Sequence, residues 1–353
     1  YPDRARPAVL VDTNAVPLQA DLKAAPALAS STDTVAAATA AAPAAVVAAD
    51  DQVELESAGE QPAERQITLT NDRMDLVLSS RGGTVARATL KEYRSTLAKD
   101  SAPVQLDFSG RTALAYLGLG GLGDGFDFAD TAGADGRSVT FERRAASGLS
   151  LRRTIQLNDR YVLHITDTLR NDGAAALDLK PFQIRTGPMA REIGHKDQAG
   201  IVYLGVDTLS PGGEKVLHLG KTLAKAFGRE MEEGKLPALP VTIDTVPHEN
   251  PVDWVAVKNK YFVQILTPEG GGEGCRVFAR RDLSRRELAT PGLAENKMTA
   301  VNEVAATVLL AEQTLQPGET LSHAYTFYVG PKKYSELHAM ALHQVDVMEF
   351  GNW

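Results

Sequence analysis

A single cysteine, Cys275, among 353 residues leaves no partner for an internal disulfide and no thiolate set for a structural metal. Nor is there an apolar run of the about 18 residues that a membrane-crossing helix needs. The nearest stretch, residues 40–49, is alanine-rich and interrupted by Pro43. No block of Lys or Arg breaks a formal net charge of −8, so neither nucleic acid nor an anionic lipid surface is the expected main partner. HExxH pairs, a nucleophile elbow and repeats of fixed period are also missing, which removes zincins, α/β-hydrolases, propellers and solenoids. Aromatic residues are absent between Pro2 and Tyr93, so the early chain has little to bury. The first residue is Tyr1 rather than methionine; we expect a processed precursor or a trimmed chain, with any signal or anchor upstream.

What is there divides into three stretches. Residues 1–65 read as a flexible Ala/Pro/Thr-rich linker: half of residues 20–49 are alanine, and Pro26, Pro43 and the Ser/Thr/Asp cluster at 30–34 deny them a long helix. Texture changes at Gln66. Ile67, Leu69, Met74, Leu76 and Leu78 alternate with polar residues, Arg81-Gly82-Gly83-Thr84 supplies a turn, and residues 85–90 return. A second hairpin is clearer still. Leu149, Leu151, Arg153, Ile155 and Leu157 alternate, Asn158-Asp159-Arg160 turns, and Tyr161, Leu163, Ile165, Asp167 and Leu169 alternate back. Asn171-Asp172-Gly173 turns again before Leu177, Leu179 and Ile184, and strand signals recur at 201–206, 252–257, 262–266, 276–279, 304–310 and 321–329. Helical patterns are confined to about 222–227 and to the stretch from Lys332. Many short strands without intervening helices predict a mainly β chain of antiparallel sheets in a sandwich.

The third stretch, 331–353, predicts a C-terminal amphipathic α-helix. Pro331 suits a first helical position, and Tyr334, Leu337, Ala341, Val345 and Met348 recur at helical spacing. Phe350 and Trp353 close it. Two readings stand for these rings: a membrane–water interface, where aromatic side chains are enriched, or a helix end packed on its own domain.

Chemistry-bearing motifs are sparse. Gly118-Leu119-Gly120-Gly121-Leu122-Gly123 matches a dinucleotide fingerprint in letters only, because the acidic, aromatic Asp124-Gly125-Phe126-Asp127-Phe128 follows instead of a helix. Asp124, Asp127, Asp130 and Asp135 miss the spacing of a calcium loop. The histidines at 164, 195, 218, 248, 323, 338 and 343 form no ligand pair; His338 and His343, five apart, would diverge by about 140° on a helix. No catalytic residue, metal or cofactor site is therefore expected. Trp254, Tyr261 and Phe262 make the densest aromatic segment, read either as core anchors of a hairpin or as the lining of a cleft for a sugar or an extended peptide.

Taken in order, these pieces resemble the large periplasmic domain of the YidC membrane protein insertases. The resemblance rests on Asn71-Asp72 with residues 80–84 and 90–93, on 161–171, on Trp254 with Lys260-Tyr261-Phe262, on residues 328–334 with Leu337, and on Phe350-Gly351-Asn352-Trp353. It covers residues 66–353. It implies a β-supersandwich over 66–330, a connection over 331–353 leading toward the membrane, an inner-membrane anchor upstream and an insertase core downstream. It also implies a non-catalytic role on the periplasmic side of the bacterial inner membrane, docking Sec-translocon subunits or nascent membrane proteins. The alternative is a carbohydrate-binding or aldose-epimerase-like supersandwich, with His164, His195 and Glu192 as acid–base candidates. An adhesin-like sandwich would suit the Ala/Thr tract but not the Gly-Pro-Lys element.

Overall fold

The computed structural model describes residues 47–48, 62–190, 203–213, 215–219, 241–248, 250–281 and 301–349, with 47–48, 241–248, 281 and 301–302 described by backbone alone. All fall in one compact unit, Ala44–Trp353. Strands dominate it, and among the described residues they form sheets of nine, six, four and three strands. Pairing is antiparallel except where Val47–Ala48 runs parallel to Leu177–Leu179. Of the linker assigned to 1–65, only 47–48 and 62–65 are described, Arg65 pairing with Asp127 and Asp130. The rest of it lies outside the described residues, as does the helical pattern at 222–227.

The nine-stranded sheet carries most of the groups discussed below. Its order is Leu217–His218, Gly205–Leu209, Trp254–Lys258, Phe262–Pro268, Thr320–Pro331, Val162–Asn171, Leu149–Leu157, Ser138–Arg144 and Ala129–Ala132. The central hairpin keeps the register that its alternation predicts: Leu157 faces Leu163, Ile155 faces Ile165, Arg153 faces Asp167 and Leu151 faces Leu169. All eight are buried, while Arg152, His164 and Arg170 on the other phase are exposed. A period of two puts one set into the core and the other outside. The six-stranded sheet runs Val241–His248, Gly274–Arg281, Val301–Leu310, Phe182–Arg185 and Tyr116–Leu117, with Met189–Ala190 also paired to Val301–Leu310. Tyr116 and Phe182 from that sheet meet edge-to-face at 5.5 Å in the shared core.

Three glycines are required by geometry. Gly82 and Gly83 both take left-handed φ (69° and 58°) in the turn from Met74–Ser79 to Thr84–Arg94, a conformation that glycine enters without the steric cost of a Cβ. At Gly330 a Cβ would sit 2.8 Å from the Tyr161 ring. The chain passes an aromatic face there too closely for any side chain.

The C-terminal stretch departs from the single amphipathic helix. Pro331 is the last strand residue, opposite Phe262, a position that tolerates a missing N–H. The α-helix is Tyr334–His338 alone, and a 3-10 turn, Gln344–Met348, follows after Ala341 (φ 66°) and His343 (φ 58°) reverse the backbone. The reason is packing. Leu337 and Val347 are both fully buried, yet one continuous helix would set residues ten apart about 80° around its axis. Breaking the helix lets both reach the core, at the expense of Tyr334 and Ala341, which face solvent. Phe350 and Trp353 lie outside the described residues.

Candidate functional site

The C-terminal segment is fastened to the sheet at three points, each built on a strand or strand end. The Trp254 indole N–H donates to the Leu342 carbonyl at 2.8 Å, which explains why the largest ring of the aromatic segment is buried. Phe262, also buried, meets Tyr93 edge-to-face at 5.8 Å. Tyr261 is exposed, its ring 5.2 Å from the Lys260 ammonium. The three rings thus serve different surroundings, and none of them lines either of the two grooves described below.

The second fastening is ionic. Lys258 and Asp207 lie on paired strands, both side chains 2 % exposed, with Nζ and the carboxylate 2.5 Å apart. Lys258 also donates to the Val347 carbonyl (3.2 Å) and meets Glu349 (3.0 Å). His218 Nδ1 lies 2.8 Å from Asp207 and 3.2 Å from Glu349. Its hydrogen bond to Asp207 raises the imidazole pKa against the opposing effect of burial. Nearby, burial and the Lys258 charge push Lys332 down to about 8. Asp207, His218 and Glu349 present ligand atoms within 4.8 Å of one another, but the Lys258 ammonium already sits between the two carboxylates as their cation. The third fastening is Glu336, whose nearly buried carboxylate faces Arg160 (3.2 Å), Arg73 (3.7 Å) and Lys333 (4.0 Å).

Inside the sandwich lies a polar cluster that reading for motifs missed. Arg153 grips Asp167 through two hydrogen bonds of 2.8 and 2.6 Å, both side chains wholly buried. The Arg153 guanidinium also donates to the Leu114 and Gly83 carbonyls at 2.5 and 3.2 Å. The Tyr116 hydroxyl donates to Asp167 (2.7 Å) and lies 2.9 Å from the Tyr325 hydroxyl. Burial works against the arginine charge, but Asp167 outweighs it and raises its pKa. Burial and Asp167 raise both tyrosines. His323, stacked on Tyr325, is lowered by burial. The signal was present in the sequence: a cation and an anion at the inward phase of facing strands must pair. Arg153, Asp167, Tyr116 and Tyr325 are occupied with one another and closed to solvent, so they hold the two sheets in register rather than meet a substrate.

The remaining candidates are scattered. His164 lies on the outer face in a groove of about 640 Å³, lined also by Asp253, Glu269 and Tyr325. No hydrogen bond or ion pair joins it to a carboxylate among the described residues. His195 and Glu192 lie outside those residues, and of His248 only the backbone is described. His338 packs on Tyr334 and His343 pairs with Asp346 (3.3 Å). Gly118 and Gly121 take left-handed φ in a loop without a helix after it. The acids beyond that loop are spent on other partners: Asp124 on Arg185, Asp127 and Asp130 on Arg65, Asp135 on the Arg137 N–H. A second groove, about 510 Å³, carries Arg143, Arg144, Arg152 and Arg170.

No described helix is long and apolar enough to cross a membrane. A family model, the YidC periplasmic domain, matches residues 66–353. Curated relatives are called membrane protein insertase YidC. The one from Syntrophus aciditrophicus is 22 % identical over 82 % of this chain and 48 % of its own length. The relative from Ruegeria pomeroyi is 25 % identical over 81 % and 46 %, and that from Bordetella avium 25 % over 84 % and 49 %. The chain therefore spans about half the length of these relatives. Among solved structures, a galactose mutarotase related enzyme from Lactobacillus acidophilus has a TM-score of 0.45 at 11 % identity, covering 75 % of this chain and 97 % of its own. A galactose mutarotase-like protein from Lactobacillus casei has 0.43 at 12 %, covering 75 % and 100 %. Such a likeness says nothing of activity.

Proposed function

The chain belongs to the YidC periplasmic-domain family, and from that membership we propose that it is the non-catalytic periplasmic module of an inner-membrane protein insertase. It works by surface recognition, docking Sec-translocon subunits and emerging membrane proteins, and its flanking segments hold it at the periplasmic face of the membrane. The observation that carries this reading is the family match along residues 66–353. Two features support it. The buried acid–base groups around Asp167 are committed to one another, which suits a rigid body better than a reaction centre. The segment after Pro331 is bound to the sheet through Trp254, Lys258 and Glu336, so a force or orientation applied there passes to the whole domain.

The test uses the full-length protein in its own cell. Single cysteines on the outer strand face, for example at Thr140 or Thr154, are labelled with a membrane-impermeant maleimide, and photo-crosslinkers at the same sites report neighbours during insertion of a reporter membrane protein. Labelling from the periplasm and crosslinks to translocon subunits or nascent chains are expected. Labelling only after the inner membrane is breached would overturn the placement. Acceleration of glucose mutarotation by the purified chain would overturn the non-catalytic role.

A further inference from the structure

The far end of the nine-stranded sheet carries a charge pattern that none of the features above uses. On its outer face Arg144 and Arg170 both stand opposite Ser150, and Arg152 stands opposite Thr168 and Glu142. Ser150 lies between the first two strands in the register, so the bases of Arg144 and Arg170 are about 10 Å apart, with Arg152 about 6.7 Å further along the middle strand. With Arg143, Thr168 and Thr320 they line the groove of about 510 Å³. Glu142 is the acid that lines it, and Asp172 sits at its rim beside Arg170, so a chain of net charge −8 is locally positive here.

These guanidiniums are only partly engaged. Arg152 meets Glu142 through Nε at 3.3 Å, and Arg170 meets Asp172 through Nε at 3.1 Å. Their terminal nitrogens make no hydrogen bond among the described residues, and the two side chains are 66 % and 58 % exposed. Exposed pairs of this kind contribute little to stability. Their donors remain free for an incoming anion, for which the arginine fork is the best-suited side chain.

We propose that this groove is a docking site for an extended acidic segment of a protein partner. The spacing favours a polypeptide over a single phosphate, which needs donors converging on one point. Alternate side chains of an extended chain lie about 6.7 Å apart, which matches the step between Ser150 and Arg152. The Thr168 and Thr320 hydroxyls add donors for backbone carbonyls. The groove also lies at the Thr320 end of a strand whose other end, Pro331, leads into the terminal segment, about 36 Å away at ~3.3 Å per residue. That separation places it away from any bilayer reached through that segment. The site names a partner class for the docking role proposed above and rests on it for choosing protein over lipid.

Fluorescence anisotropy with a labelled oligo-glutamate, titrated with the purified chain, tests this. Binding is expected, weakening as salt rises. Arg152→Gln/Arg170→Gln should raise Kd by about tenfold or more, whereas Arg94→Gln/Lys99→Gln, an equal charge change at a hairpin end of the four-stranded sheet, should leave it within about twofold. Far-UV circular dichroism and the melting temperature confirm that both variants fold. An oligo-lysine control should not bind. The proposal is overturned if oligo-glutamate fails to bind, if binding survives the double substitution, or if phosphatidylglycerol vesicles or inorganic phosphate bind through these arginines while the peptide does not. Any of those results leaves the periplasmic placement intact, because that is read separately by labelling in the cell.

Discussion

Arg153 and Asp167 show how much a single register decides. Each sits at the inward phase of its strand, where burying an isolated charge is prohibitive, and they face each other directly. The alternation of the two strands was legible from Leu149 to Leu169 and already placed these two residues on the core side. What was not legible is that Tyr116 and the Leu114 carbonyl, from a distant part of the chain, would complete their hydrogen bonds. Asp167→Asn keeps the shape but leaves a buried guanidinium without its counter-ion; urea unfolding should show a loss of about 3–5 kcal/mol. Arg153→Met/Asp167→Leu removes both charges and should be less damaging than that single change. A smaller loss in the single variant would mean that the cluster is not held closed as described.

At the scale of elements, the C-terminal segment is where pattern and structure part. Of the residues at helical spacing Leu337 is a core residue and Val345 and Met348 are half-buried, while Val347, outside that set, is fully buried. Helical spacing cannot anticipate that Trp254 will take the Leu342 carbonyl or that Lys258 will take that of Val347. Trp254→Phe keeps most of the packing and strands that carbonyl. We expect a cost of about 1–2 kcal/mol, with faster hydrogen exchange over residues 334–349 than elsewhere. The ionic fastening adds a pH signature. Because the folded His218 pKa is raised, its contribution is fully present below the unfolded value of about 6.5 and fades as pH rises through the folded value. Lys332 has the opposite sense. Its folded pKa falls to about 8, so the folded state holds fewer protons than the unfolded one between there and the usual lysine value of about 10.4. Stability therefore gains from this group across that window. Thermal melts at stepped pH should show both trends, with His218→Gln flattening the lower and Lys332→Met the upper. A profile unchanged by His218→Gln would remove the imidazole from the fastening.

For the whole molecule, sheets of nine and six strands enclose one core in which Tyr116, Phe182, Tyr325 and Phe327 take part. Turn residues such as Gly82-Gly83 and Asn171-Asp172-Gly173 marked the ends of strands correctly because their chemistry is local. The order in which strands lie beside one another is not local, and the outer-face groove of Arg144, Arg152 and Arg170 exists only through that order. Limited proteolysis tests the division of the chain. Cleavage before about residue 64 is expected to be rapid, leaving a resistant fragment that begins near Gln66 with an unchanged melting temperature. A resistant N-terminal stretch would argue against a tether.

Composition, alternation and turn chemistry determined by themselves that this chain is a mainly β protein without disulfide staples or a helical span, because each depends on residues a few positions apart. Pairing between distant strands decided which charges are buried together, where the terminal helix breaks and which arginines share a groove. Those outcomes follow from the search for partners by buried polar groups, and the partners are brought near only when the sheets close.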